Sequence, residues 1–215
     1  MSDKTLQQAV MDELEWEPSV GAQHIGVAVE DGVVTLTGHV GSYIERLAAE
    51  KAVKRVKGVR AIAEEIEVRF ANDKKTSDDQ IARRSLDVIA WDSTIPKDKI
   101  QIKVQNGFVT LTGEVDWFYQ RDDAEAAVRK LTGVKGLSNE IKVKPQVRGT
   151  DIKQRIETAL RRNAEVEADA IKVTVLDGRV ILDGKVKAWY ERELAERTAW
   201  SAPGVVSVED RISIN

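Results

Sequence analysis

The chain has 215 residues, no cysteine, 32% charged residues and a formal net charge of −3. This composition excludes disulfides and thiol chemistry, and it gives no general attraction to nucleic acid, so no nucleic-acid partner is expected. The opening residues lack a basic stretch followed by an apolar one, and no long apolar run occurs elsewhere. A soluble, unexported chain in the cytoplasm is therefore expected.

The chain opens on a helical pattern. Leu6, Val10 and Leu14 recur at spacing four, a narrow apolar stripe on an otherwise polar helix, with Ser2 or Asp3 as N-cap. A polar connection marked by Pro18 follows. Then comes a hairpin: Ile25, Val27 and Val29 alternate before Asp31-Gly32, and Val33 to Val40 returns. Asp-Gly is a strong two-residue hairpin signal, because a type I′ turn needs positive φ at both central positions. Gly38 lies inside the returning strand, where glycine marks a bulge or a close backbone approach. We expect the following helix to cross tightly there. That helix turns Ala49, Ala52, Val53 and Val56 inward and ends at Gly58, the expected place of a left-handed C-cap. A last strand runs from Val59 to Phe70.

The whole pattern is then written twice more, at offsets of 75 and 71 residues and without gaps. Ile81, Ser85 and Ile89, then Ile152, Ile156 and Leu160, repeat the first stripe. Ser77 or Asp78 and Thr150 or Asp151 repeat its cap. Asn106-Gly107 and Asp177-Gly178 repeat the turn. Gly113 and Gly184 repeat the mid-strand glycine, and Gly133 and Gly204 the helix end. A period near 70 residues implies tandem small domains rather than a solenoid. We place them at residues 1–70, 77–145 and 149–215. Each is expected to be an α-β-β-α-β unit of the α+β class. Its three-stranded sheet is mixed, because the helix crossover makes the second and third strands parallel, and both helices share one face. The linkers are short: 71–76 is polar, and 146–148, after Pro145, leaves the last two units little freedom. Charge is uneven. Residues 3–70 carry 8 basic and 12 acidic side chains, against 11 and 11 in 77–145 and 11 and 12 in 149–215.

The text Val34-Thr-Leu-Thr-Gly38-His-Val40 with Gly58-Val59, together with Val109–Val115 and Gly133-Val134, and Val180–Val186 and Gly204-Val205, resembles the BON domain (bacterial OsmY and nodulation). The resemblance covers nearly the whole chain. It implies a non-catalytic binding module linked to osmotic and envelope stress, with phospholipid as ligand. It also implies a first alternative, a cytoplasmic potassium sensor, since one relative binds that ion. The second alternative is a protein-interaction scaffold without a small ligand. The family has no catalytic residues to carry over.

Residue chemistry agrees with a binding role. His24 and His39 lie in the first unit only, where the others place Lys99, Ala170, Glu114 and Lys185, so a repeated metal site is excluded and no metal or cofactor is expected. Glu64-Glu65 and Asp122-Asp123 read as solvated faces. At the start of the second helix stand Trp117, Tyr119, Trp189 and Tyr190, followed at one fixed place by Arg46, Arg121 and Arg192. Consecutive helical residues cannot all face one core, so some of these aromatics are expected at the surface or between units. Arginine beside aromatic rings suits headgroup contact. Arg155 and Arg162, seven apart on one helix face, are the expected anion-facing pair. Trp200 takes the place of Lys54 and Arg129 and is expected to point out of its own domain. Trp16 and Trp91 are expected to act as core lids.

Overall fold

The computed structural model describes residues 2–70, 76–144, 152–163 and 170–214. Residues 71–75 of the first linker, the whole of the second, Pro145 and the caps at Thr150 and Asp151 lie outside the described residues.

In the first repeat α1 (Asp3–Trp16) leads to β1 (Ile25–Glu30), β2 (Val33–Val40), α2 (Tyr43–Arg55) and β3 (Ala61–Val68). In the second, α3 (Asp78–Trp91) leads to β4 (Ile100–Gln105), β5 (Phe108–Val115), α4 (Phe118–Val128) and β6 (Gly136–Val143). In the third, α5 (Ile152–Arg162) leads to β7 (Ile171–Leu176), β8 (Arg179–Val186), α6 (Trp189–Trp200) and β9 (Ser207–Ile214). Each sheet has three strands with the hairpin's second strand in the middle. β1 and β2 pair antiparallel, with Val27 opposite Leu36, and β2 and β3 pair parallel, with Val34 opposite Ile62. The third repeat keeps the same register, Val173 opposite Leu182 and Val180 opposite Val208. This is the mixed α+β unit that the periodicity implies.

The stripes fill the cores. Leu6, Val10 and Leu14 are buried, as are Ile81, Ser85 and Ile89. The Ser85 hydroxyl donates to the Ile81 carbonyl at 2.8 Å, so its burial leaves no unmet hydrogen bond. In the third repeat one cluster joins Ile156 and Leu160 of α5, Ala195 and Ala199 of α6, and Val180 and Leu182 of β8. Both helices therefore lie on one sheet face. The hairpin turns have positive φ at both central residues: 50° and 78° at Asp31 and Gly32, 54° and 83° at Asn106 and Gly107, 47° and 81° at Asp177 and Gly178.

Two expectations about glycine are corrected. A Cβ on Gly38 would stand 2.1 Å from the His24 carbonyl oxygen, and one on Gly113 or Gly184 would stand 2.0 Å from that of Lys99 or 2.1 Å from that of Ala170. The close approach is thus to the backbone just before the neighbouring strand, not to the following helix. The other set does not cap the helices. α2 ends at Arg55, and Gly58 follows in a turn closed by the Val59 amide on the Val56 carbonyl. Leu131–Val134 and Ala202–Val205 repeat that turn. Its third residue has positive φ, 99° at Gly58, 98° at Gly133 and 94° at Gly204, as a type II turn requires.

Candidate functional site

The arginine at the fixed place on each second helix is committed within its own repeat. Arg46 binds Glu64 on β3 through two hydrogen bonds, at 2.7 and 3.0 Å. The Glu64 hydrogen bond holds the Arg46 guanidinium above its ordinary value, against an opposing effect of burial. Arg192 binds Asp210 on β9 at 2.5 Å and lies over the Trp189 ring. In the second repeat the acidic partner is replaced by Asn139, and Arg121 lies over aromatic rings instead, 5.8 Å from the Phe118 centroid and 5.5 Å from that of Trp200. These arginines tie helix to strand or ring to ring, which accounts for their fixed position better than headgroup contact does.

The aromatics divide. Trp117, Tyr119 and Tyr190 are exposed. Phe118 and Trp200 stack, with centroids 4.8 Å apart and rings inclined by 12°. Trp200 thus reaches beyond its own repeat, as its register position implies. It also packs against the edge of its own core, and its indole N–H donates to Glu196 at 3.4 Å, so its contacts within the third repeat are more than expected.

The larger correction concerns Trp16 and Trp91. They are 82% and 89% exposed, and so are not core lids. Each is the last residue of its helix, α1 or α3, and the helical phase that buries Leu14 and Ile89 two residues earlier turns it outward. The 75-residue offset relates the two, and the matching place in the third repeat is Arg162. The signal in the sequence was this phase, which excludes the indoles from the buried stripe.

Arg155 and Arg162 both line a cleft between α5 and α6. His24 and His39 stack on each other with centroids 4.9 Å apart. Among the described residues no group of three His, Cys, Asp or Glu side chains is placed to hold a metal.

A second set of polar residues escaped the sequence reading. The Asp3 carboxylate accepts the backbone amides of Asp31 and Gly32, at 3.0 and 3.3 Å. Asp78 does the same for Asn106 and Gly107, at 2.7 and 2.9 Å. Glu45 accepts the amides of Gly21 and Gly41, at 2.8 and 2.7 Å, and the equivalent Gln120 accepts those of Asp116 and Trp117. These side chains staple loops to helices. An acidic residue 28 positions before each of the first two turns was the available signal, but it marks a helix N-terminus equally well.

Comparison with known proteins fits this geometry. The family model of the BON domain matches residues 2–69, 77–145 and 149–215. The chain is 28% identical over 153 residues to osmotically-inducible protein Y of Escherichia coli K12, covering 67% of this chain and 74% of that protein. Among solved structures, one of CdsD, a structural protein of the type III secretion system of Chlamydia trachomatis, aligns over 98% of this chain and 92% of that one at 12% identity and a TM-score of 0.27. At that score the likeness carries no argument. No helix among the described residues is long and apolar enough to cross a membrane.

Proposed function

The chain belongs to the BON domain family, and on that premise we propose that it is a non-catalytic, stress-associated module that docks on an anionic phospholipid surface. The observation that carries the reading is the pair Trp16 and Trp91, almost wholly exposed at equivalent places on the first helices of two repeats. An exposed indole keeps a large apolar surface in water, and its amphipathic ring suits the boundary between headgroups and acyl chains. Burying about 150–250 Å² per indole, at roughly 25 cal/mol per Å², is worth several kcal/mol before the cost of association. The acidic first repeat opposes an anionic surface, while α5 carries Lys153, Arg155, Arg161 and Arg162 against the single acid Glu157. Apolar insertion from the first two repeats and charge attraction from the third are complementary. The link to stress is supported by the name of the Escherichia coli relative. The non-catalytic reading is supported by the ionisable clusters, which are ion pairs and loop staples.

The test is co-sedimentation of the full chain with phosphatidylcholine vesicles, with and without phosphatidylglycerol. Binding that rises with phosphatidylglycerol and falls when Trp16→Ala and Trp91→Ala are combined is expected. Equal sedimentation of the variant and the parent overturns the indole assignment, and no binding to any vesicle overturns the membrane reading. Greater thermal stability in potassium than in sodium at equal ionic strength would favour ion sensing instead. The cytoplasmic location expected from the sequence is read by fractionating cells that express the protein.

A further inference from the structure

We propose that the cleft between α5 and α6 in the third repeat is a phosphate-ester site whose ligands are Arg155 and Arg162. It rests on the membrane-surface reading only for the lipid as one source of the phosphate.

The cleft encloses about 610 Å³, the size of a small-ligand site. Its apolar lining is Ile156 and Ala159 on α5, with Ala202 and Pro203 beyond the end of α6. Arg155 and Arg162 are exposed, and among the described residues neither makes an ion pair. Seven residues of helix separate them by about 10 Å along the axis, on one face, so two long side chains can close on one group between them. A planar guanidinium matches the oxygens of a phosphate in a two-pronged fashion, which makes arginine the suited residue for this class of anion.

The first repeat bridges the place that this cleft occupies in the third. There Arg55 reaches from α2 across to Glu13 on α1 at 2.7 Å and to Glu17, just after α1, at 3.1 Å. The repeat offsets put Ser201, Ala159 and Asn163 in those three places. The bridging cation and the Glu13 carboxylate are thus replaced by small side chains and the Glu17 carboxylate by a neutral amide, and the cations appear on the other helix. The end of α6 opposes an anion, because its last carbonyls carry partial negative charge. One of them is covered: the Ser201 hydroxyl donates to the Arg197 carbonyl at 2.8 Å.

The full chain is titrated with glycerol phosphate, with short-chain phosphatidylglycerol below its micelle threshold, and with glycerol as control, reading amide shifts of Ala159, Ser201 and Ala202 by NMR. Saturable shifts with both phosphates mark a site for any phosphate ester, and shifts with the lipid alone mark a headgroup site. Replacing Arg155→Gln and Arg162→Gln weakens binding about fivefold per arginine. Ala159→Glu with Ser201→Arg rebuilds the bridge of the first repeat and abolishes the shifts in a folded chain. The proposal is overturned if neither phosphate shifts these amides, or if the double glutamine variant titrates like the parent. The combined Trp16→Ala and Trp91→Ala variant separates the two readings. Its cleft titration stays intact when only vesicle docking fails, whereas a silent cleft in a chain that still sediments with vesicles removes the site and leaves the docking.

Discussion

The carboxylate of Asp78, in the first turn of α3, accepts the backbone amide of Gly107 at 2.9 Å and fixes the β4–β5 turn to a helix 29 residues away. Its second oxygen takes the Asn106 amide at 2.7 Å. Hydrogen bonds to a charged acceptor are among the stronger ones in folded chains. Asp78→Ala is therefore expected to destabilise the second repeat by about 2 kcal/mol. Hydrogen exchange at the Asn106 and Gly107 amides checks it: both accelerate well beyond the amides of the first repeat. Unchanged protection would show that the turn holds itself.

Gly113→Ala tests the strand crossing. The new methyl would lie 2.0 Å from the Lys99 carbonyl oxygen, at a residue whose φ is 133°. Neither the backbone oxygen nor the φ can adapt cheaply, so a loss of about 3 kcal/mol is expected, at the upper end of ordinary substitutions. The measurement is urea unfolding followed by probes specific to the second repeat, because a chain of several domains need not unfold in one step. A stability within experimental error of the parent would contradict the close approach.

The stack of Phe118 on Trp200 joins residues of two repeats. A double-mutant cycle with Phe118→Ala and Trp200→Ala is expected to give a coupling of about 1 kcal/mol. Additive effects would mean the rings do not meet in solution. Trp200→Lys should leave the third repeat folded but weaken this contact, and its own core should lose stability as well, since Trp200 packs on the core edge.

Tyr43 sits half-buried at the start of α2, and burial raises its phenol above the ordinary value of 10.0, with the Leu137 backbone hydrogen bond acting in the opposite direction. A group whose folded value is raised contributes fully below its unfolded value and loses that contribution as pH rises through the folded one. Stability should therefore fall above pH 10.0, and Tyr43→Phe should lessen the fall. Phenolate absorbance in alkaline titrations of the parent and of Tyr43→Phe isolates the Tyr43 step as their difference, expected above pH 10.0. A difference step at or below that value would refute the assignment.

The elements were legible because their causes are local. Asp31-Gly32, Asn106-Gly107 and Asp177-Gly178 turn the chain since each needs positive φ at two adjacent residues, and Leu6, Val10 and Leu14 mark a helix face by spacing alone. Three copies in one register left little freedom in the topology, because a helix between two strands makes them parallel. Tertiary structure alone decided what each side chain meets. Gly38 looked like a helix crossing but is pressed on the His24 carbonyl, a contact set by the register of β1 on β2. Arg46 and Arg192 looked ready for a ligand but are held by Glu64 and Asp210, 18 residues further along the chain. Trp16 and Trp91 looked like lids, yet they lie outside the cores, because the helical phase that buries Leu14 and Ile89 sends the indole two residues later into solvent. Periodicity specifies which residues share a face; only the packing of one element on another specifies what that face touches.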